Sequence, residues 1–228
     1  MLVITFLAIM LLATLAIIVL IRSTTETLIK HHHEQRASFF AAHPIQPGDI
    51  VFLGDSITDG AIWIELFPGL PVKNRGINAD TTLSVLERMG PITVGKPKAI
   101  FILIGTNDLP WYEYRSDTDI LETYEAILQR IQTDSPETKI FVQSIFPRSR
   151  HYARRIVNLN GELQQLARRM DCTYIDVFSH LAGPLGELRK GLHNDSLHLM
   201  AEGYAIWVEV LQPYMDELMK DDQVQAKD

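Results

Sequence analysis

Ala99-Ile100-Phe101-Ile102-Leu103-Ile104, followed by Gly105, decides how this chain folds. Successive side chains of a strand point to opposite faces, so six apolar residues in a row leave neither face for water. Such a run belongs at the centre of a parallel sheet covered on both sides. Working outward, Ile50-Val51-Phe52-Leu53 is a second buried run, ended by Gly54, and Pro71-Val72-Lys73-Asn74 is a weaker strand. Ile140-Phe141-Val142 and Thr173-Tyr174-Ile175 supply a fourth and a fifth. Helical periods are expected between them, over 82–89, 119–132, 157–170 and 201–219. Leu159, Leu163, Leu166 and Met170 recur at three and four, which lines them along one helix face. Asp134-Ser135-Pro136 punctuates the end of the second of these segments. Strands alternating with helices predict an α/β fold with a parallel sheet.

The hydrophobicity is not evenly spread. Residues 2–21 read LVITFLAIMLLATLAIIVLI, with Thr5 and Thr14 as the only polar side chains. Twenty residues at about 1.5 Å each span roughly 30 Å, the hydrocarbon thickness of a bilayer. A cleaved signal peptide has a basic start, a shorter apolar stretch and a small-residue cleavage site. Here no Lys or Arg precedes the run and Arg22-Ser23-Thr24 offers no such site, so an uncleaved single-pass anchor is expected. The expected organisation is an anchor over 1–22, a juxtamembrane linker over 23–47, one domain over 48–220 and a frayed tail over 221–228. Arg22, Lys30 and Arg36 follow the span, a lean toward a cytoplasmic domain that leaves its side open. His31, His32 and His33 read as solvated spacer, since adjacent positions do not converge on one ion.

Composition excludes several classes of function. The 228 residues carry 21 Lys+Arg against 28 Asp+Glu, a formal net charge of -7. Nucleic acid as main partner needs a clustered basic surface to replace phosphate counterions, and the balance argues against it. One Cys excludes an intramolecular disulfide framework and a thiolate metal cage. Oligomeric state is not legible.

Three polar loops fall at the expected C-terminal ends of strands, where open α/β sheets bind ligands. Gly54-Asp55-Ser56-Ile57-Thr58 follows the first strand. A Ser at a strand-to-helix turn can be exposed with helix amides near its oxygen, although Asp, Ser and Gly also serve such loops simply as turn and cap residues. Thr58 stands where a G-x-S-x-G elbow has its second Gly. Gly105-Thr106-Asn107-Asp108 follows the central strand, and its Asn amide can either donate to an oxyanion or close the turn. Asp195-Ser196-Leu197-His198 precedes the last helix. Three residues of separation let the carboxylate reach Nδ1 and leave Nε2 to take a proton from a Ser hydroxyl; helix capping beside a surface His is the plainer alternative. His193 has no carboxylate at that spacing. Together the loops supply the separate parts of acyl transfer.

With these blocks on the page, the chain resembles the GDSL, or SGNH, hydrolases, most closely the branch of platelet-activating-factor acetylhydrolase-like bacterial acylhydrolases. The resemblance runs from about Gly48 to Met219. VFLGDSIT at 51–58, NRGINADTT at 74–82, GTND at 105–108 and DSLH at 195–198 carry it. It implies Ser56 as nucleophile, His198 as base, Asp195 as its orienting acid and Asp55 in support. The Ser56 and Gly76 amides and the Asn107 side chain would form the oxyanion hole. Asn78-Ala79 stands where family members often have Gly-Gly, a change to the oxyanion loop. The implied fold is a flavodoxin-like three-layer α/β/α sandwich with five parallel strands in order 2-1-3-4-5.

The expected function is therefore a membrane-anchored serine esterase without metal or organic cofactor, acting on a lysophospholipid, a short acyl ester or an acetylated sugar. A non-catalytic carbohydrate- or lipid-binding module on the same fold is the alternative; every triad position being filled argues against it. An α/β-hydrolase shares the Ser…Asp…His order but not the three-residue Asp–His spacing. Trp111 and Tyr112 could wall an acyl pocket or anchor their loop. Arg148, Arg150, Arg154 and Arg155 with His151 could hold an anionic headgroup, though a solvated basic face is the plainer reading. Ile206, Trp207, Val210 and Leu211 read as core, and Cys172 as a small hydrophobe, not a reactive thiol.

Overall fold

A computed structural model describes residues 2–110 and 115–225. The chain divides into two compact units, one ending at Ala42 and one beginning at His43.

The first unit is a single helix, α1 (Leu2–Ala42). It is long and apolar enough to cross a membrane, as no other helix is among the described residues. The helix does not stop at the expected linker but continues to Ala42. No Gly or Pro interrupts 22–42, and Arg22–Glu26 and Lys30–Glu34 pair at i,i+4. Thr24, Thr25 and Thr27 return their hydroxyls to carbonyls one turn back. His31, His32 and His33 lie on this helix. Pro44 follows its end.

The second unit is built on β1 (Ile50–Gly54), β2 (Val72–Gly76), β3 (Ala99–Leu103), β4 (Lys139–Gln143) and β5 (Thr173–Ile175). All pair in parallel, in the order β2-β1-β3-β4-β5. This is the expected topology. Strand parity sorts the core into two layers. Val51, Leu53, Ile100, Ile102 and Val142 face one helical layer, whereas Ile50, Phe52, Ala99, Phe101, Leu103 and Phe141 face the other. The central run of β3 is buried at every position, as a strand covered on both faces must be.

The first layer is formed by α4 (Thr82–Glu87), α5 (Gly90–Thr93), α6 (Asp117–Asp134) and α7 (Ala153–Arg169), which contribute Val85, Ile92, Ile127 and Leu163 among others. The second holds α3 (Trp63–Leu66), α8 (Phe178–Leu181) and α9 (Ala201–Gln225), contributing Trp63, Leu181, Trp207 and Leu211. Ile206 and Val210 are half-buried against the same layer. Helix α6 begins two residues earlier than its apolar period suggests because Ser116 and Asp119 close a capping box. The short helices α2 (Ser56–Asp59), α3, α5 and α8 have too few turns to show a period. Helix α9 runs through Gln225 and so includes part of the expected tail.

Register fixes where chemistry can occur. Gly54 pairs with Gly76 on one side and Leu103 on the other, so β1, β2 and β3 end level with one another. Their three loops open at one edge.

Candidate active site

The loop that carries Ser56 is a strand end turned directly into a helix. Asp55 is the N-cap of α2 and its Oδ1 accepts the Ile57 amide at 2.9 Å, which makes Ser56 the first helical residue. Gly54 is obligatory in this turn, since a Cβ there would lie 2.3 Å from both Leu103 O and Thr58 Oγ1. Tyr204 Oη donates to Ile57 O at 2.9 Å and the Trp63 indole to Thr58 O at 3.0 Å, so α2 is held from the second helical layer.

Ser56 Oγ lies 2.9 Å from His198 Nε2 across 142 residues of chain, and His198 Nδ1 lies 2.6 Å from Asp195 Oδ2. The loop carrying the last two is tightly shaped. Asp195 Oδ1 accepts the Leu197 and His198 amides at 2.9 and 2.8 Å, and Ser196 takes φ 65°. His193, set aside from the sequence, accepts the Ser196 amide at Nδ1, 2.8 Å, and so braces that turn. Burial raises the Asp195 pKa, but the hydrogen bonds from the His198 ring and amide and from the Leu197 amide outweigh it and bring the carboxyl to about 2. The imidazole and carboxylate are 44% and 46% exposed, so this side of the site is open to solvent.

Asn107 sits in a 3-10 turn after β3, entered through Gly105 at φ 119°. Its Nδ2 donates to Asp80 O at 3.0 Å, which leaves the second amide hydrogen for a ligand. Gly76 departs from expectation. Its amide is spent on Asn74 Oδ1 at 2.8 Å, and a Cβ there would stand 2.2 Å from Asp59 N. Gly76 is thus a packing glycine under α2 and does not present an amide to an oxyanion. Strand geometry explains this: Gly76 is the last residue of β2, inside the ladder, while the exposed turn comes three residues later at Ala79, φ 64°.

Several residues below the rim were not singled out from the sequence. Asn74 also donates to Asp59 O and Ala61 O, at 3.0 and 3.2 Å, and ties β2 to the end of α2. Asp108 is fully buried and accepts the Thr82 hydroxyl and amide at 2.7 and 3.0 Å; burial raises its pKa against those bonds. Arg88 bonds to Asp80 Oδ2, Gly54 O and Arg75 O. Asn74, Asp80 and Thr82 stand inside the NRGINADTT block, which was the available signal; Arg88 lies outside every block.

Asp55 is 1% exposed and its Oδ2 has no hydrogen-bond partner among the described residues. Burial, opposed by the Ile57 amide and reinforced by Asp80 and Asp108, pushes its carboxyl up to about 7.

The arginine group divides. Arg148 donates to Thr106 O at 2.8 Å and stacks on Tyr152, and Arg155 bonds Asp117 at 2.7 Å and Leu109 O at 3.1 Å. Both brace loops, while Arg150, His151 and Arg154 are exposed. Trp111 and Tyr112 lie outside the described residues. Cys172 is half-buried, its thiol pushed up by burial to about 11, which suits an unreactive residue.

Comparison with known proteins shows the family and the fold. Residues 52–206 match the model of the GDSL-like Lipase/Acylhydrolase family. Platelet-activating factor acetylhydrolase IB subunit alpha2 of Rattus norvegicus is 31% identical over 184 residues, covering 76% of this chain and 78% of the relative. Among solved structures, a Streptococcus pneumonia protein provisionally described as a platelet activating factor superposes with TM-score 0.74 at 28% identity, over 84% of this chain and 96% of the other. A GDSL-like lipase from Bacteroides thetaiotaomicron shares the fold with TM-score 0.71 at 19% identity, over 80% and 97%.

Proposed function

The chain belongs to the GDSL-like lipase/acylhydrolase family, and from that premise we propose that it is a membrane-anchored serine esterase working through Ser56, His198 and Asp195. The observation that carries this reading is the 2.9 Å contact between Ser56 Oγ and His198 Nε2. A Ser hydroxyl is a weak nucleophile unless a base takes its proton, and that contact is within transfer distance. Asp195, bonded to Nδ1, selects the tautomer with Nε2 free and favours the imidazolium that forms.

In this reading Ser56 attacks the ester carbonyl as His198 removes its proton. The Ser56 amide at the start of α2 and the Asn107 side-chain amide stabilise the oxyanion, and the Ala79 amide takes the place expected of Gly76. His198 then protonates the departing alcohol, and water, deprotonated by the same imidazole, releases the acid. One oxyanion donor is worth about 3 kcal/mol in the transition state.

The substrate class is a short acyl ester, as the relatives' name, acetylhydrolase, suggests. The half-exposed imidazole leaves room for a large alcohol part. Helix α1 is read as the anchor, on its length and composition.

Ser56→Ala should abolish hydrolysis of p-nitrophenyl acetate and labelling by a fluorophosphonate probe while the protein stays folded. Activity retained in the purified variant overturns the assignment. A panel of acetyl, octanoyl and lysophospholipid esters then ranks substrates; a preference for the octanoyl ester contradicts the short-acyl reading.

A further inference from the structure

Arg88 occupies the C-cap position of α4, outside every sequence block of the site, and it is only 10% exposed. Its guanidinium serves three separate segments. Nε donates to Asp80 Oδ2 at 2.7 Å; Nη2 donates to Gly54 O at 3.1 Å and to Arg75 O at 2.8 Å. Gly54 is the strand residue before Asp55 and Ser56, Arg75 stands at the end of β2, and Asp80 closes the loop that carries Ala79.

Asp80 passes this hold onward. Its carboxylate is taken by Arg88, its amide donates to Ile77 O at 3.2 Å, and its carbonyl accepts Asn107 Nδ2 at 3.0 Å. An unbroken chain of hydrogen bonds therefore runs from Arg88 through Asp80 to the Asn107 amide. The same guanidinium grips the strand end from which the nucleophile turn springs.

We propose that Arg88 is a positioning residue for ester hydrolysis, fixing the Asn107 amide relative to Ser56 through Asp80. The inference rests on the esterase reading above, in which Asn107 stabilises the oxyanion. Its physical basis is directional. A planar guanidinium presents its donors in a rigid fork, so the directions to acceptors on three segments are fixed together, whereas the donors of an ammonium rotate on a flexible stem. Oxyanion stabilisation depends steeply on donor placement, and a displacement of about 1 Å costs on the order of 10²-fold in rate. Asp80, 1% exposed, has little freedom except what its partners define.

The experiment is a double-mutant cycle on the full chain with p-nitrophenyl acetate, read as kcat and KM separately against Ser56→Ala as zero. Arg88→Met should lower kcat by about tenfold to 100-fold with KM nearly unchanged. In an Asn107→Ala background the same change should cost less than about threefold, because the group it positions is already gone. Equal losses in both backgrounds, or full kcat in folded Arg88→Met, overturn the proposal. Arg88→Lys runs through the same cycle if Arg88→Met does not fold: a loss of several-fold with Asn107 present and none without it supports positioning, and equal losses refute it. Asn107→Ala with undiminished kcat would instead refute the oxyanion reading beneath.

Discussion

Asp195 holds His198 at both ends of the residue: Oδ2 lies 2.6 Å from the ring Nδ1 and Oδ1 accepts the backbone amide at 2.8 Å. One carboxylate thus sets the imidazole's tautomer and the loop that presents it. The bonds that bring Asp195 to about 2 overcome a burial that opposes them, so its charge persists until the solution is strongly acidic. The sign for stability follows from the depressed pKa. The stabilising contribution is present above the unfolded value of 3.8 and is lost as pH falls toward 2. Asp195→Asn should lower kcat by roughly 10²-fold or more at every pH from about 4 to 8, since an amide no longer favours the productive tautomer or the imidazolium. Steady-state rates across that range check this; a loss that vanishes at low pH and appears only at high pH would mean that Asp195 titrates where the geometry says it does not.

Asp55 behaves in the opposite way. Its carboxyl is raised to about 7 by burial, with one oxygen lacking a partner, so the folded state binds a proton that the unfolded chain releases near 3.8. Stability contributed at this position is therefore greatest below about pH 4 and declines as pH rises to about 7. Asp55→Asn keeps an oxygen for the Ile57 amide and removes the ionisation. Its unfolding free energy should lose less between pH 5 and 8 than that of the parent, by on the order of 2 kcal/mol. Denaturant titrations at several pH values provide the measurement, and parallel pH curves for the two proteins would refute the argument.

Gly76, the last residue of β2, and Ala79, three residues later in the loop that follows, make a contrasting pair. A Cβ on Gly76 would press on Asp59 N at 2.2 Å, Asp59 Cα at 2.7 Å and Asp55 O at 2.8 Å, all of them backbone that cannot step aside. Gly76→Ala should therefore destabilise the fold by about 2 kcal/mol or more and shift Ser56 enough to depress activity. Ala79 already carries a Cβ at φ 64°, a conformation that costs a non-glycine residue about 1 kcal/mol. Ala79→Gly removes that strain but loosens the unfolded chain, for a net gain of roughly 0.5 kcal/mol with activity retained. Thermal and denaturant unfolding of both variants decide the matter: similar effects from the two would contradict the roles given to these residues.

How much of this was legible in the sequence depends on how locally each feature is encoded. The strands β1 and β3 were readable because each is a short apolar run ended by or soon followed by Gly, and the strand order followed from the family resemblance. Ser56 and Asn107 stood out because each sits in a compact block directly after a strand, and Asp195 and His198 because they share a compact block just before α9. Gly76 was misjudged because a motif gives residue types but not which amide faces out; that is set by where β2 stops, at Gly76, two residues past its expected end at Asn74. Arg88 was invisible because its three acceptors are a carboxylate and two carbonyls from distant segments, and carbonyls leave no trace in residue identity. The extension of α1 was missed for a different reason: Ser, Thr and His read as spacer, yet no Gly or Pro stands in the way of a helix already nucleated by a twenty-residue run with only two polar side chains.

That continuous helix bears on the last prediction. A signal peptide is released by cleavage after a short apolar core at small residues, whereas here the apolar stretch passes without a break into Arg22-Ser23-Thr24-Thr25-Glu26 and remains helical to Ala42. The large apolar side chains from Val3 to Ile21 are exposed along it, a surface that water does not tolerate but lipid does. The full chain expressed in cells should sediment with membranes, resist extraction by alkaline carbonate, enter solution with detergent and retain its N-terminal residues by intact mass. A soluble product shortened by about twenty residues would show that the segment is a cleaved signal. Esterase activity should follow the detergent-extracted protein, which places the two readings, anchor and enzyme, on one molecule.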